Sequence, residues 1–92
     1  MTDKQHKKRL EFSPVFQQLL VHAPGKIKQA VQDALDLFEE DPHSPALRNH
    51  SLSGKYQDFR SIDVTEDWRA LYREESERFV FSELGTHTQL YG

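Results

Sequence analysis

The sequence predicts an α+β fold in which two helices pack on one face of a small, mainly antiparallel sheet. Two segments in the N-terminal half carry apolar residues at helical spacing, and three later segments are rich in aromatic and β-branched residues. Short polar connections separate those three segments, and strands joined by short connections pair antiparallel. The predicted element order is β-α-α-β-β-β, in a single domain spanning residues 1–92.

The first strand and the first helix are predicted close to the N-terminus. Residues 9–12 alternate polar and apolar side chains, which is typical of a half-buried strand. Ser13 has a side chain that can cap a helix, and Pro14 suits the first helical position. Pro24 and Gly25 then end this helix, because both residue types interrupt a helical pattern.

The second helix is predicted from a single apolar stripe, and three strands follow it. The stripe consists of Ile27, Val31, Ala34, Leu35 and Phe38. Asp41 and Pro42 end the helix, since the residue before a proline avoids helical backbone angles. The remaining predictions are a loop at 46–53, strands at 56–64, 68–73 and 78–84, a turn at 65–67, a hairpin connection at 74–77, and a tail at 85–92 that is too short for another sizeable element.

The composition excludes several classes of protein. The 92 residues include no cysteine, which rules out a disulfide framework and a thiolate metal site. No apolar run is long enough to cross a membrane or to form a signal peptide, so we expect a cytoplasmic protein whose residues 1–8 are frayed. The net charge is −3, but basic residues cluster between two acidic segments, and this distribution permits a basic patch.

A metal site is one alternative for the polar residues around the predicted sheet. His50, Asp63, Asp67 and His87 have side chains of the kind that bind metal ions. Their spacing matches no metal motif, and they do not share one face of a helix. The sequence also lacks a glycine-rich phosphate loop, a dinucleotide-binding fingerprint and a serine-hydrolase signature. We therefore predict neither a metal site nor a cofactor.

The same part of the chain holds the residue types required for metal-free cleavage of RNA. This reaction needs a base for the ribose 2′-hydroxyl, an acid for the leaving 5′-oxygen, and a cation that stabilises the charged transition state. Histidine serves as acid or base near neutral pH, arginine binds phosphate, and aromatic rings stack on splayed bases. The residues available are His50, Asp67, His87, Arg60, Arg69, Arg73, Trp68 and Tyr91.

Two motifs resemble those of a known group of bacterial toxins. The first begins at His50 and reads HSLSGKYQDFRSIDVTEDWRALYR. It is similar to a pattern of His-x-Leu-x-Gly, an aromatic residue, Tyr/Phe-Arg, and then Asp-Trp before a strand that ends in Tyr and a basic residue. The second is the tail LGTHTQLYG, which is similar to a closing Gly-Thr-His followed by Leu-aromatic-Gly. The sequence therefore resembles the RelE/ParE toxin superfamily, and in particular its YafQ-type toxins.

The resemblance implies a RelE-like fold and the role of toxin in a type II toxin-antitoxin system. Such a toxin is a metal-free endoribonuclease that cleaves mRNA on the ribosome by 2′-hydroxyl attack, and a cognate antitoxin protein holds it inactive. The resemblance also implies that His50, Asp67 and His87 are catalytic, with His87 acting on the leaving group or the scissile phosphate. Tyr91 matches an aromatic residue near the active site, and Arg69 matches a phosphate-contacting arginine of the wider RelE group. No membrane and no small-molecule cofactor is implied.

Two positions depart from the YafQ pattern. Asp63 stands in place of a histidine, and Ser61 stands in place of an acidic residue. We predict that Asp63 is catalytic and that Asp63 and Arg69 together replace the missing histidine. Alternation along the strand would direct Ile62 and Val64 toward the helices and Asp63 toward the RNA.

The remaining predicted residues bind RNA or its phosphates, and one alternative function stays open. The predicted RNA-binding set is Arg60, Trp68, Arg69, Arg73 and Tyr91. Trp68 could equally belong to the core, because a tryptophan in a strand commonly packs inside. The alternative is a RelE/ParE-fold interaction module without cleavage, or a toxin with a different target such as a topoisomerase.

Overall fold

A computed structural model describes residues 8–91 of the chain. The fraying predicted for residues 1–7 lies outside the described residues. Lys8, which was included in that prediction, forms an ion pair with Glu74 at 2.6 Å and lies over the ring of Phe79. The elements are β1 (Arg9–Phe12), α1 (Pro14–Val21), α2 (Gly25–Glu40), β2 (His50–Ser51), β3 (Arg60–Asp63), β4 (Trp68–Glu74), β5 (Arg78–Thr86) and α3 (His87–Tyr91), with 3-10 turns at Pro45–Leu47 and Gly54–Tyr56.

The five strands form one mixed sheet in the spatial order β1-β5-β4-β3-β2. β1 pairs parallel with β5, and the three remaining pairs are antiparallel. Both helices and the strands β2 to β4 lie between β1 and β5 in the chain, since a parallel partner requires a long crossover connection. The predicted α+β fold and the order β-α-α-β-β-β are thus confirmed, with one short strand and one short helix added.

Both long helices contribute to a core of aromatic and aliphatic side chains on one face of the sheet. Ser13 caps α1 as predicted, because its hydroxyl accepts a hydrogen bond from the backbone N–H of Phe16 at 3.0 Å. Phe16 meets Phe81 of β5, and Phe38 of α2 meets Tyr72 of β4 at 4.9 Å between ring centroids. These side chains are fully buried, so the two helices cover this face of the sheet.

The alternation predicted for β3 is confirmed. Ile62 is buried in the core and Val64 packs against it, whereas Asp63 lies on the opposite face of the sheet. Arg69 of β4 pairs with Asp63 in the register of the sheet and therefore shares that open face. The two strands thus place a carboxylate and a guanidinium side by side.

The structure differs from the sequence prediction most clearly in three segments. The strand predicted at 56–64 is confined to residues 60–63, because Gly54 has a left-handed backbone (φ 66°) that begins a 3-10 turn through Tyr56. The loop predicted at 46–53 contains β2, in which His50 pairs with Ser61. The tail at 85–92, predicted to be too short for another sizeable element, contains the end of β5, which extends to Thr86, and the five-residue helix α3.

Candidate functional site

An open cavity of about 720 Å³ lies on the sheet face opposite the two long helices. Most of the residues that line it have polar or charged side chains, and they come from the loop before β2, from β2 to β4, and from α3. The lining residues are Arg48, Asn49, His50, Leu52, Asp63, Arg69, His87 and Tyr91. Residues far apart in the chain therefore meet at one edge of the sheet, as binding sites on rigid scaffolds commonly do.

Asp63 is held between two arginines at the floor of the cavity. Its carboxylate lies 3.1 Å from Nε of Arg69 and 2.7 Å from Nε of Arg48. Arg69 is itself fixed, because its Nη1 donates hydrogen bonds to the backbone carbonyls of Thr65 and Glu66 at 3.0 and 2.8 Å. The side chains of Asp63 and Arg69 are only 13% and 12% exposed, whereas that of Arg48 is 68% exposed.

The hydrogen bond made by His50 fixes which of its ring nitrogens carries a proton. Nδ1 lies 2.9 Å from the backbone carbonyl oxygen of Arg48. A carbonyl oxygen can only accept, so Nδ1 must donate, and in the neutral ring the lone pair is on Nε2. Neutral His50 therefore carries its proton on Nδ1, and Nε2 is the nitrogen that can accept a proton.

The short helix α3 places His87 and Tyr91 at the cavity. Thr86 and Gln89 form a capping box, in which the Gln89 N–H donates to the Thr86 hydroxyl at 3.1 Å and the Thr86 N–H donates to the Gln89 side chain at 2.9 Å. Gly85 allows the Gln89 side chain of α3 to lie close to the end of β5, because a Cβ at this position would be 3.0 Å from the Gln89 side-chain oxygen. The rings of His87 and Tyr91 are 4.8 Å apart between centroids.

A row of aromatic rings extends from the cavity toward β4. Tyr91 meets Tyr56, and Tyr56 meets Phe59, each pair with ring centroids 6.0 Å apart and nearly perpendicular planes. Cationic side chains lie over the row: Lys55 Nζ is 5.2 Å from the Tyr56 ring, and the Arg73 guanidinium is 6.0 Å from the Phe59 ring. Partly exposed aromatic rings can stack on nucleic-acid bases, and the cations beside them can contact the neighbouring phosphates.

Within residues 8–91, no group of three or more histidine, aspartate or glutamate side chains is placed to hold a metal ion. Among the helices of the same described part, none combines the length and apolar character that a membrane span would need.

Comparison with known proteins identifies the family. The model of the YafQ toxin family, described as the bacterial toxin of a type II toxin-antitoxin system, matches residues 3–92. This chain belongs to the YafQ family of bacterial toxins. It is thus the toxin of a type II toxin-antitoxin system, as the two motifs predicted. No curated protein matches the chain.

Solved structures of YafQ-family and related toxins share this fold. YafQ from E. coli strain BL21(DE3) has 20% sequence identity, with a TM-score of 0.68 over 94% of this chain and 100% of that one. The E. coli DinJ-YafQ toxin-antitoxin complex has 20% identity and a TM-score of 0.70 over 92% and 98% of the two chains. The YoeB/ParE toxin from Agrobacterium tumefaciens has 14% identity and a TM-score of 0.70 over 86% and 98%. The fold is therefore RelE-like, as predicted.

Five of the nine site residues predicted from the sequence line the cavity, and four do not. His50, Asp63, Arg69, His87 and Tyr91 line it, whereas Asp67, Arg60, Trp68 and Arg73 do not.

Arg60 and Trp68 lie on the helix side of the sheet rather than at the cavity. Arg60 Nε donates to the side-chain oxygen of Asn49 at 2.7 Å, and the Asn49 amide donates to the Tyr72 hydroxyl at 2.7 Å. Burial raises the pKa of Tyr72, so this hydroxyl stays protonated within the network. Trp68 packs against the core, which is the structural role left open in the sequence analysis.

Asp67 and Arg73 lie near the site without lining it. The backbone carbonyl of Asp67 accepts a hydrogen bond from the His87 N–H at 2.9 Å, while its side chain is exposed. Asp67 therefore ties the β3–β4 turn to the start of α3. Arg73 is bound by Glu75 at 2.7 Å and lies at the far end of the aromatic row, next to Phe59.

Sequence reasoning missed Arg48, Asn49 and Leu52 as cavity residues. They lie in the segment that was assigned as a loop, where no periodicity directs a side chain to one side. Their position next to the motif could have indicated two of them, because Arg48 and Asn49 directly precede His50, where the motif begins.

Proposed function

We propose that this YafQ-family toxin is a metal-free endoribonuclease that cleaves mRNA on the ribosome. The observation that carries the proposal is the convergence of two histidines and a fixed arginine on one open cavity: His50, His87 and Arg69. These are the base, acid and cation that 2′-hydroxyl attack requires. Because the proposed substrate is mRNA on ribosomes, we expect the toxin to act in the cytoplasm.

The tautomer of His50 suits the role of general base. Nε2 takes the proton of the ribose 2′-hydroxyl, and the resulting oxygen attacks the adjacent phosphorus. The Nδ1 hydrogen bond to the Arg48 carbonyl persists through this step, because the imidazolium that forms donates from both nitrogens.

His87 is the corresponding general acid. It protonates the 5′-oxygen as the P–O bond breaks, so the products are a 2′,3′-cyclic phosphate and a free 5′-hydroxyl. Arg69 stabilises the charge on the phosphorane, and Asp67 is a positioning residue whose carbonyl holds the start of α3. Tyr91 stacks against the base beside the cleaved bond.

We also propose a cognate antitoxin protein as the partner of this toxin. The E. coli DinJ-YafQ complex supports a toxin-antitoxin pairing in this family. On this chain, exposed apolar side chains of α1, including Val15 and Leu19, offer anchors for a folding peptide segment.

Induced expression in bacterial cells tests the nuclease proposal. Wild type should arrest growth and produce cleaved mRNA with free 5′-hydroxyl ends, while His87→Ala should do neither. His43→Ala is the matched control, because His43 is a loop histidine that does not line the cavity, and it should remain toxic. Equal cleavage by wild type and His87→Ala would refute the assignment of His87.

The double pairing of Asp63 favours a second candidate, a RelE/ParE-fold module that binds a partner without cleaving RNA. Asp63 occupies both Arg48 and Arg69, and these cations would otherwise face a phosphate. If wild type is inert on translating ribosomes and Asp63→His makes it toxic, this candidate replaces the nuclease.

A further inference from the structure

The two partners of the ion pair between Arg48 and Asp63 differ in their exposure to solvent. Asp63 is 13% exposed and already has a buried partner in Arg69, whereas Arg48 reaches the same carboxylate from solvent with a side chain that is 68% exposed. The negative charge of Asp63 is therefore still compensated by Arg69 when Arg48 moves away. An exposed arginine next to a satisfied carboxylate can leave at little cost, because surface ion pairs contribute little to stability.

The backbone at Arg48 is strained and belongs to the wall of the site. Its φ and ψ angles are 46° and 47°, the left-handed region that residues other than glycine rarely adopt. This conformation ends the 3-10 turn Pro45–Leu47 and directs the Arg48 carbonyl to Nδ1 of His50. Such strain persists where the surrounding structure imposes it, and it concentrates at functional sites.

We propose that Arg48 is a phosphate-binding residue that exchanges Asp63 for a phosphodiester when RNA enters the cavity. Asp63 then acts as an internal carboxylate that holds Arg48 until a phosphodiester binds beside it. Arg69 is the fixed cation, because backbone carbonyls hold it, and Arg48 is the mobile one. This inference rests on the proposed function and adds to it a residue that the sequence did not indicate.

The chemistry of the two partners supports the exchange. Arginine presents a planar fork of donors that binds carboxylate and phosphate in the same manner, so either anion satisfies Arg48. A phosphodiester that enters beside Asp63 also adds a second negative charge to the cavity, and that charge needs a cation which can turn away from the carboxylate.

Binding of a short 2′-O-methyl oligoribonucleotide to the purified full chain tests this role. The probe lacks a free 2′-hydroxyl and cannot be cleaved, so binding is measured separately from catalysis. The variants are Arg48→Gln, Asp63→Asn and the double variant. Asp63→Asn should bind more tightly than wild type, and Arg48→Gln should reduce the slope of log affinity against log salt by about 0.7, the value for one single-strand phosphate contact.

The opposite edge of the sheet supplies a matched control. Arg9 is also 68% exposed, and it pairs with Glu11, a carboxylate shared with a second arginine, Arg78. Arg9→Gln and Glu11→Gln change the net charge of the toxin just as the test variants do. They should leave the salt slope unchanged, because β1 lies at the other end of the sheet from the cavity.

The double variant decides between phosphate binding and simple charge pairing. If Arg48 binds phosphate, the double variant binds more weakly than Asp63→Asn. If the two bind equally, Arg48 serves only as a counter-ion and the proposal is overturned. Failure of Asp63→Asn to bind the probe at low salt would also overturn it, since that variant frees both arginines.

Cleavage assays keep this inference separate from the proposed function. Ribosome-dependent cleavage by wild type, together with equal binding by the double variant and Asp63→Asn, would refute the role of Arg48 and leave the nuclease standing. The expected binding differences with an inert wild type would support the phosphate exchange within a protein that does not cleave.

Discussion

At the scale of single residues, the site depends on which side-chain atoms are free to act. His50 is held through Nδ1, so of its two ring nitrogens only Nε2 is available for the proposed proton transfer. His50→Asn tests this directly, because the asparagine amide can still donate to the Arg48 carbonyl while the basic nitrogen is lost. Cleavage should fall by at least ~10²-fold with the melting temperature unchanged. Loss of stability with cleavage retained would show that His50 is structural.

Asp63 and Arg69 form the second test at this scale. If the pair replaces the family histidine, Asp63→His should preserve or raise cleavage, and Arg69→Ala should reduce it strongly by removing phosphate stabilisation. Rates on translating ribosomes measure both effects. Toxic wild type with no response to either substitution would refute this account of the pair. Arg9→Ala, on the far strand β1, is the control for lost positive charge.

Residue faces along the strands were predictable, and so was the position of Arg60 and Trp68 on the helix side of the sheet. Arg60 is two residues before Ile62, so it shares the helix face to which Ile62 was assigned. Trp68 stands in the same relation to the buried Ala70. Arg48 was not predictable in this way, because a left-handed arginine follows no periodic pattern.

At the scale of elements, α3 was the most important feature that the sequence analysis missed. Five residues give too little periodicity to predict a helix, yet Thr86 and Gln89 have the spacing of a capping box. The motif match therefore located His87 and Tyr91 without the helix that orients them. Family resemblance indicated the residues, and local capping chemistry explains their geometry.

The capping box provides a prediction for this element. Thr86→Val keeps the branched shape of the side chain but removes the oxygen that accepts the Gln89 N–H. Loss of a cap costs about 1 kcal/mol of helix stability, so α3 should loosen and cleavage should fall while the sheet stays folded. Proteolysis near the C-terminus and the cleavage rate measure the effect. Thr88→Val is the control, since it alters the same helix without touching the box.

The β4–β5 hairpin has a predicted dependence on acid. Hydrogen bonds from Arg73 and then Arg78 lower the pKa of Glu75 from its usual 4.5. A carboxyl group with a lowered pKa in the fold stabilises it above its usual pKa, and this contribution is lost as pH falls below 4.5. Glu75→Gln should therefore reduce the melting temperature at neutral pH and flatten its fall in acid. Glu39→Gln on α2 is the control, and an identical pH profile for wild type and Glu75→Gln would contradict the prediction.

At the scale of the whole molecule, the sheet separates two surfaces of different charge. The acidic residues of α2 lie on the helix side, and Arg48, Arg69 and the cations of the aromatic row lie on the open side. A net charge of −3 is therefore compatible with a site that binds phosphate, because the local field decides what approaches the cavity. Composition alone obscured this division.

The same division predicts how the antitoxin binds the helix side. Val15 and Leu19 are exposed one helical turn apart on α1, and acidic side chains of α2 lie on the same side of the sheet. An antitoxin segment should place apolar residues on α1 and lysine or arginine residues near α2, so its affinity should fall as salt rises. Changing Val15 and Leu19 to serine should weaken co-purification with the antitoxin, while cleavage by the free toxin stays unchanged. Gln17 and Gln18 changed to serine are the control on the same helix. Salt-independent co-purification through a mainly acidic peptide would contradict this arrangement, because such a peptide would meet repulsion on the helix side and would fit the arginines of the cavity instead.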